Sequence, residues 1–527
     1  MRCIHEAGRT VFIALFLIFA SFDWAQTSGG TSADAASVEL RMEQKLDAMR
    51  SDPLALHAFL LRMPKGADLH MHLSGAAYAE SFIRAAAEDN LCVDPVANSF
   101  VRPLSMSEGV PPQPVCGEGK VAATLVFKNQ HLYDALVDSF SMRGFVPSPG
   151  VTGHDHFFDT FGKFSGTSPN HSGEWVDEVA TRAAAQNEQY LELMITPASS
   201  RVWTISKDVP WNDDFKKLRD DLLAHGLRDD IEMARASLDR MESTRRQMEH
   251  CGEAGEAPAC KVQTRYICQV SRGSAKELVF AQTLLWFELA SDDPRFAGLN
   301  FVQAEDGYTS MADYALHMRM VGFLHGLYPS VHISLHAGEL APGLVPPAGL
   351  CCHIRQAVEE AHAERIGHGV DVMYEDRPYE LLKEMAKSHV LVEINLTSND
   401  VILGIAGREH PLQTYRKYGV PVALSTDDEG VSRIDLTHEY LRAVQSYGFT
   451  YRDLKQMVRA SLEHSFLPGK SLWHERDAFS KVAAACAKDM PGSERPSPAC
   501  DSFLKSSEKA RQQWELEQRF RVFENGN

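Results

Sequence analysis

The stretch VHISLHAGE, residues 331–339, places a β-rich run directly before a histidine and a glutamate. Similar runs, mostly apolar and ending in polar residues, recur along the chain with helical stretches between them. Alternating strands and helices indicate an α/β fold with a parallel sheet, and eight runs favour a closed (β/α)8 TIM barrel over an open doubly wound sheet, the alternative. The eight predicted strands are ADLHMHL (67–73), YLELMIT (190–196), YICQVSR (266–272), GLNFVQA (298–304), VHISLHA (331–337), RIGHG (365–369), VLVEINL (390–396) and PVALSTD (421–427).

The segments outside these runs predict an N-terminal helical extension and two insertions. The gap from Gly75 to Gln189 is too long for one crossover helix, so an insertion must follow the first strand. A second insertion is expected around the third strand, near residues 251–260. The predicted segments are a signal peptide (1–25), a linker with the helical extension (26–64), the barrel (65–470, with an insertion at about 85–130) and a C-terminal helical region (471–527).

The composition argues against several classes of partner. Of the 527 residues, 44% are hydrophobic and 24% are charged, which is typical of a folded protein with a large core. The formal net charge of −18 disfavours binding to nucleic acid or to anionic membranes, because both are negatively charged. We therefore expect a small-molecule ligand and no nucleic acid.

The N-terminus has the pattern of a secretory signal. Arg2 and Arg9 precede an apolar run at residues 11–20, and a small-residue cleavage point follows at Ala25. The run is too short to span a bilayer. A buried N-terminal helix is the alternative, but the flexible sequence at residues 27–37 favours cleavage. We expect a secreted or periplasmic protein with no membrane insertion after cleavage.

The cysteine count fits an oxidising compartment. Ten cysteines minus Cys3 in the signal leave nine, so one stays unpaired. Three pairs flank short polar segments with proline or glycine, as disulfide-closed loops do, although spacing alone leaves the connectivity open. A cysteine zinc site is disfavoured because CxxC pairs are missing. The expected disulfides are Cys92–Cys116, Cys251–Cys260 and Cys486–Cys500.

Polar residues end several predicted strands. His70 and His72 are two residues apart and so face the same side of the first strand. His336, His368 and Asp427 end the fifth, sixth and eighth strands, and such ends converge on the mouth of a barrel. Any one of the 22 histidines is more often an ordinary hydrogen-bonded residue. Their joint placement predicts one Zn²⁺ site per chain, held by three imidazoles and a carboxylate with a position open to water.

Four motifs carry a resemblance to a known family. MPKGADLHMHLSGA (63–76), SLHAGE (334–339), RIGHG (365–369) and STDD (425–428) resemble the signatures of the adenosine and AMP deaminases, members of the metal-dependent hydrolase superfamily. The signal, the helical extension within residues 26–64 (the lead-in) and the insertion after the first strand resemble those of the secreted branch, the adenosine deaminase growth factors. The similarity extends over about residues 40–450 and implies zinc-dependent hydrolysis on a (β/α)8 barrel.

The resemblance implies a role for each motif residue. Glu339 is the implied proton shuttle to the purine ring nitrogen beside the amine, where an acid is needed because charge builds up as C6 becomes tetrahedral. Taken alone, Glu339 also fits the alternative of an ordinary carboxylate at a helix start, which the intact SLHAGE motif disfavours. His368 is implied to orient the attacking water or take its proton, and Asp428 to hydrogen-bond the imidazole edge of the purine. The implied zinc ligands are His70, His72, His336 and Asp427.

The implied substrate contacts match the family less closely. The run HDHFFDTFGKF (154–164) stands where the family has an apolar helix over the pocket, although such aromatic stripes are as often core. Gln303 replaces a glycine whose N–H meets the purine, and Ser74 replaces an aspartate that contacts the ribose in many intracellular members. The implied substrate-binding residues are Ser74, Gln303, Gly338, Asp428, Phe158 and Phe161.

Two other segments have two interpretations each. Glu305 either orients Glu339 or a ligand, or is simply a paired charge. Ser398 and Asn399 resemble the family's segment after the seventh strand, but they equally suit a turn.

The function expected from these observations is deamination of adenosine or 2′-deoxyadenosine to inosine or 2′-deoxyinosine and ammonia. Alternative substrates are adenine, an N6-substituted adenosine and AMP, the last disfavoured because no Lys/Arg cluster adjoins the motifs. A secreted adenosine-binding protein with an inactive barrel is a different class, which the intact ligand set and Glu339 disfavour. An amidohydrolase of another amine is a third. The resemblance to the secreted branch implies a homodimer through the lead-in and insertion, unless an amphipathic lead-in covers the barrel's own base instead.

Overall fold

The computed structural model describes residues 30–107 and 113–526. Its main sheet has eight parallel strands in chain order, and each of the eight predicted strands is present. The strands are β1 Gly66–His72, β2 Glu188–Ile195, β3 Gln263–Ser271, β4 Phe296–Val302, β5 His332–Ala337, β6 Arg365–His368, β7 Leu391–Ile394 and β8 Val422–Leu424.

The sheet closes between its first and last strands. Met71 in β1 pairs with Asp427, which follows β8. The N–H of Asp427 donates to the carbonyl of His70 at 2.9 Å, and the N–H of His72 donates to the carbonyl of Asp427 at 3.1 Å. These bonds complete the ring, so the predicted TIM barrel is confirmed and the open sheet is wrong.

Helices connect the strands and surround the barrel. Short or amphipathic segments follow each strand, as the alternating sequence pattern predicts. The helices are Gly30–Met49, Pro53–Arg62, Leu73–Ala76, Ala79–Glu88, Gln130–Ser139, Gly153–Lys163, Ser172–Ala185, Val202–Asp208, Phe215–Ala224, Asp229–Met248, Lys276–Asp292, Tyr308–Leu327, His353–Glu359, Pro378–Lys387, Leu396–Leu403, Leu412–Tyr418, Glu429–Ser432, Leu436–Tyr447, Tyr451–Glu463, Pro498–Ser506 and Glu508–Gly526.

The lead-in is fixed to the barrel by the residues around its last helix, Pro53–Arg62. Asp52 caps the start of this helix by accepting two backbone N–H bonds, with proline in the first helical position. At the other end, the buried Lys65 ammonium donates to the carbonyls of Leu60 and Gln186, each at 2.7 Å. Lys65 thus ends the helix and holds the chain where β1 begins.

Charged and aromatic side chains fill the interior of the barrel on the side of the amino ends of its strands. The Arg365 guanidinium forms ion pairs of 2.6 Å with Glu192 and with Glu393. It also lies over the ring of Phe466, 3.7 Å from the centroid. Because this end is packed, a ligand has access from the opposite end, where the carboxyl ends of the strands lie.

The insertion after β1 carries two small antiparallel sheets. One is formed by Cys92–Asp94, Ser99–Val101 and Val121–Ala122, and the other by Ser105–Met106 and Pro114–Val115. The predicted segment boundaries remain predictions.

The three predicted disulfides are present. Cys92–Cys116 and Cys251–Cys260 each have Cα atoms 5.5 Å apart, and in Cys486–Cys500 they are 4.5 Å apart. The adjacent Cys351 and Cys352 are also joined, a pair that the sequence analysis did not assign. Among the cysteines of residues 30–107 and 113–526, the unpaired one is Cys268, which is buried in β3.

The predicted signal peptide, residues 1–25, lies outside the described residues. Among the helices that the structure describes, none combines the length and apolar character needed to cross a bilayer.

Candidate metal centre and active site

Four side chains at the carboxyl ends of β1, β5 and β8 converge on one point. The Nε2 atoms of His70 and His72 lie 3.1 and 3.2 Å from Nε2 of His336. Asp427 Oδ1 lies 3.4 Å from Nε2 of His70 and of His72. Ligand atoms about 2.0–2.2 Å from a tetrahedral cation stand roughly 3.3 Å apart, so this spacing suits a small divalent metal. The four predicted ligands therefore form a group that can hold a metal ion.

The second ring nitrogen of each of these histidines contacts a side chain from another strand. Each contact fixes its ring. Glu393 and Asn300 accept the Nδ1–H of His70 and His336, which leaves the lone pair of Nε2 in those two rings directed at the common point. The Gln269 amide nitrogen is a donor, so its contact orients the His72 ring only. The sequence analysis missed all three partners. The contacts at Nδ1 are His70 to Glu393 Oε2 at 2.6 Å, His336 to Asn300 Oδ1 at 2.8 Å and His72 to the Gln269 amide at 2.7 Å.

Burial sets the charge of the ligand set. It lowers the pKa of His72 to about 4 and that of His336 well below its usual value, so both rings are neutral, the form that binds metals. Burial opposes ionisation of Asp427, but the hydrogen bond with His70 and the neighbouring imidazoles hold its pKa below the usual range. Burial opposes the charged form of His70, but its hydrogen bonds to Asp427 and Glu393 raise its pKa to about 10. His70 must therefore release a proton when its Nε2 binds a metal, whereas His72 and His336 are already neutral.

Three site residues have positive φ although none is a glycine. The φ angles are 83° at Gln303, 68° at His368 and 62° at Asp427, each at or just after a strand end. This region is costly for residues with a Cβ atom, and such strain concentrates at functional sites. The positive φ angles turn these three side chains away from the direction that a regular strand would give them.

Glu339 enters the site from a tight turn after β5. Gly338 has φ +74°, and a Cβ atom there would lie 2.4 Å from Asp371 Oδ1, so the turn requires glycine. The Glu305 carboxylate accepts the N–H groups of Gly338 and Glu339 at 3.0 and 2.9 Å. Burial, followed by the charge of Asp427, raises the pKa of Glu339 well above its usual range. Glu339 is therefore held as a neutral carboxyl that can donate a proton.

The helix after β7 contacts two site residues. The Asn399 amide donates to Nδ1 of His368 at 2.8 Å, and the Ser398 hydroxyl donates to Asp427 Oδ2 at 2.6 Å. Nε2 of His368 lies 3.7 Å from Glu339 Oε1. Burial lowers the pKa of His368 to about 3, so its ring is neutral. Because Nδ1 accepts the Asn399 amide, the ring proton is on Nε2, which can donate a hydrogen bond. Of the two interpretations of this segment, the structure favours a place in the site.

A cavity of about 440 Å³ adjoins these groups, which is the size of a small-molecule site. Of the predicted substrate-binding residues, Ser74, Gln303 and Asp428 bound it, while Gly338 is absent from the described lining. The described lining includes neither lysine nor arginine. The lining residues are His72, Ser74, Phe157, Phe158, Phe161, Gln269, Ser271, Val302, Gln303, Ala304, His336, Glu339, Asp427 and Asp428.

A larger cavity of about 710 Å³ lies elsewhere, between the lead-in and the last helix, lined by Arg62, Trp514 and Arg519 among others. It is remote from the strand ends that carry the histidines. We therefore assign the site to the smaller cavity, because only that one adjoins the convergent polar groups.

The aromatic run after the insertion has both of the expected roles. Phe157, Phe158 and Phe161 line the cavity. Phe164 is buried instead against Phe82, with ring centroids 4.3 Å apart. One face of the helix Gly153–Lys163 therefore covers the cavity, and the residue that caps its end belongs to the core.

A model of the adenosine deaminase family matches residues 167–483, more than half of the chain. The chain belongs to the adenosine deaminase family. The matched range includes β2 to β8 and the motifs around His336, His368 and Asp427. β1 precedes that range, and it is the closed barrel that brings His70 and His72 to the other two ligands.

Curated adenosine deaminases from bacteria are similar to part of the chain. That of Shewanella loihica is 32% identical over 191 residues, which is 36% of this chain and 49% of the relative. One from Escherichia coli is 37% identical over 154 residues, 29% of this chain and 42% of the relative. The chain thus matches about half, or less, of the length of these relatives.

Solved structures share the deaminase fold. Arabidopsis ADAL complexed with GMP is 18% identical with a TM-score of 0.50, covering 78% of this chain and 94% of that one. A cog1816 amidohydrolase from Burkholderia ambifaria with bound zinc is 16% identical with a TM-score of 0.50, covering 78% and 88%. At these identities the likeness establishes the fold alone.

Proposed function

We propose that this chain is a secreted, zinc-dependent deaminase that hydrolyses adenosine and 2′-deoxyadenosine to inosine or 2′-deoxyinosine and ammonia. The observation that carries the proposal is the convergence of three imidazoles and the Asp427 carboxylate beside Glu339, at the wall of the cavity. A protein that only binds a nucleoside needs neither the metal ligands nor a buried, neutral carboxyl.

The chain's own residues account for the proton transfers. Zinc held by this donor set supplies Lewis acidity that makes water nucleophilic near neutral pH. As water adds to C6, Glu339 donates its proton to N1, which would otherwise carry the developing negative charge. His368, with its ring proton on Nε2, donates a hydrogen bond that orients the attacking water. The proton that the water loses on addition restores the Glu339 carboxyl. The remaining hydroxyl proton passes to the amino nitrogen, the C6–N bond breaks, ammonia leaves, and C6 becomes the carbonyl carbon of hypoxanthine.

Asp428 is suited to hold the opposite edge of the purine. Burial, and then the charge of Asp427, raises its pKa well above the usual range. Its buried Oδ1 has no hydrogen-bond partner among the described residues. Because Asp428 lines the cavity, its neutral carboxyl can donate to N7 of a bound purine.

The charge of the cavity favours a nucleoside over a nucleotide. A phosphate group would find no lysine or arginine among the described lining residues, and a hydrogen bond to a charged group contributes about 1.5–3 kcal/mol. Without one such contact, kcat/KM for AMP should fall at least roughly tenfold below that for adenosine.

A substrate panel tests the proposal. Zinc-loaded protein is given adenosine, 2′-deoxyadenosine, adenine, N6-methyladenosine and AMP, and amine release is measured. We expect the two nucleosides to have the highest kcat/KM. A preference for adenine, N6-methyladenosine or AMP would assign a different aminopurine, while tight adenosine binding without ammonia would favour a non-catalytic binding protein. No turnover of any aminopurine overturns the deaminase proposal.

Secretion is supported by the paired cysteines, which suit an oxidising compartment, and by the sequence of residues 1–25. The secreted deaminase branch is the proposed relationship. N-terminal sequencing of exported protein should find cleavage after Ala25. Peptide mapping without reduction should find Cys268 as the free thiol, and nine free thiols would contradict both the pairing and the localisation.

A homodimer through the lead-in and insertion is part of the same proposal. The insertion exposes several apolar side chains, among them Val96, Leu104 and Phe127 at 93%, 76% and 55%. Such residues suit an interface better than bulk water. Light scattering that found only monomer at micromolar concentration would contradict the dimer.

A further inference from the structure

A buried series of hydrogen bonds leads from the helix His353–Glu359 to Glu339. Nδ1–H of His353 donates to Glu305 Oε1 at 2.6 Å. The same carboxylate accepts the N–H of Gly338 on Oε1 at 3.0 Å and that of Glu339 on Oε2 at 2.9 Å. Two successive N–H groups on one carboxylate fix the peptide planes on both sides of Gly338.

His353 is itself held firmly. Its ring stacks on Tyr314 with centroids 3.6 Å apart and an interplanar angle of 4°. The Tyr314 hydroxyl donates to the His353 carbonyl at 3.0 Å. Glu375 Oε1 accepts the next two N–H groups, of Ile354 and Arg355, at 2.7 and 3.2 Å. The imidazole is therefore a fixed donor rather than a mobile side chain.

Arg272 completes the surroundings of Glu305. Its Nη1 lies 3.9 Å from Glu305 Oε2 and donates to the His336 carbonyl at 3.1 Å. Burial would raise the pKa of Glu305, but the hydrogen bond from His353 and the charge of Arg272 lower it to about 2. An ionised carboxylate only accepts hydrogen bonds, so its geometry depends on the donors around it.

We propose that His353 is a positioning residue for the deamination, which through Glu305 fixes the turn at Gly338 and so the direction of the Glu339 side chain. The inference rests on the proposed function. His353 is absent from the described lining of the cavity and from the metal ligands, so it acts only through Glu305. This assignment also decides between the two interpretations of Glu305. Its carboxylate orients Glu339, because it accepts the N–H groups of the turn as well as the Nδ1–H of His353.

The energetic reason is the loss of a donor to a buried charge. Without Nδ1–H, Oε1 of Glu305 keeps only the N–H of Gly338, and the carboxylate is free to rotate toward Arg272. The turn at Gly338, which the Glu305 carboxylate holds, then shifts with the carboxylate. A misplacement of about 1 Å at a reacting group costs up to roughly a hundredfold in rate.

Two substitutions of His353 test its hydrogen-bond donor and its stacked ring separately. His353→Phe keeps a ring that stacks on Tyr314 but has no donor, whereas His353→Asn loses the ring and places an amide N–H where Nδ1–H stands. We expect His353→Phe to lower kcat for adenosine at least about tenfold, with KM within about threefold and zinc content unchanged. His353→Asn should stay within about threefold of wild type. If the role were only structural, the Asn variant would be the more impaired, because it loses the stacking.

Amide hydrogen exchange provides a readout independent of turnover. In the Phe variant the N–H groups of Gly338 and Glu339 should exchange faster than in wild type, and in the Asn variant they should not. A Phe variant with wild-type kcat and exchange, or an Asn variant as impaired as the Phe variant, overturns the positioning role. If the wild type deaminates nothing, the proposed function fails, and the exchange rates alone then decide whether His353 fixes the turn.

Discussion

Glu339 allows proton transfer to be tested separately from metal binding. Replacing Glu339 with Gln keeps the size of the side chain but removes the proton that it would donate to N1. The ligands are untouched, so zinc content and fold should match wild type. General acid–base groups contribute about 10²–10⁴ in rate, so kcat should fall at least about a hundredfold while substrate binding weakens less.

His70→Ala is the matched comparison, because it removes a ligand and leaves Glu339 in place. This variant should lose both the metal and the activity. Steady-state kinetics with metal analysis on both variants distinguishes the two roles. If the zinc-occupied Glu339→Gln enzyme kept kcat within about tenfold of wild type, another group would have to be the acid.

Glu305 gives the protein an acid-dependent contribution to stability. Its folded pKa of about 2 is below the usual value of 4.5, so its stabilisation is present above about pH 4.5 and is lost as the pH falls toward 2. The destabilisation caused by Glu305→Gln should therefore be largest near neutral pH, on the order of 3 kcal/mol, and shrink at low pH. Unfolding by denaturant at several pH values measures the difference in the free energy of unfolding between the wild type and this variant. A difference that grew in acid would contradict this account.

At the scale of elements, the insertion after β1 depends on its disulfide. Cys92 and Cys116 are 24 residues apart, and closing such a loop contributes about 3 kcal/mol. Replacing both with Ala should speed proteolysis within residues 92–122 and lower the melting temperature, with kcat unchanged because neither residue lines the cavity. Cys268→Ala, at the free thiol, is the control and should leave proteolysis of the insertion unchanged. A double variant as resistant as wild type would contradict the role given to this disulfide.

The strands and their polar ends could be predicted from the sequence, because period-two runs and the position of a histidine at the end of a run are local features. The partners of the ligands could not. His70 and Glu393 are 323 residues apart, and their contact depends on which inward-facing residues reach one level of the barrel. The positive φ angles at Gln303, His368 and Asp427 have no local signal either, since Gln and Asp at a strand end are compatible with ordinary extended backbone.

For the whole molecule, the metal site should couple zinc to stability. The ligands come from β1, β5 and β8, strands distant in sequence, and the unfolded chain does not hold them together. Removing the metal with a chelator should lower the melting temperature and abolish activity, and added zinc should restore both. Scanning calorimetry of both forms tests this coupling, and equal melting temperatures would show that no ion binds preferentially to the folded chain.

The most direct test of the whole account is a zinc titration of metal-free protein, followed by ammonia release from adenosine. The account predicts that the rate rises with added zinc, reaches a plateau at one ion per chain, and is accompanied by an equal yield of inosine. The His70→Ala protein should release none. Adenosine that binds tightly to the zinc-loaded protein and remains unchanged would contradict the central claim.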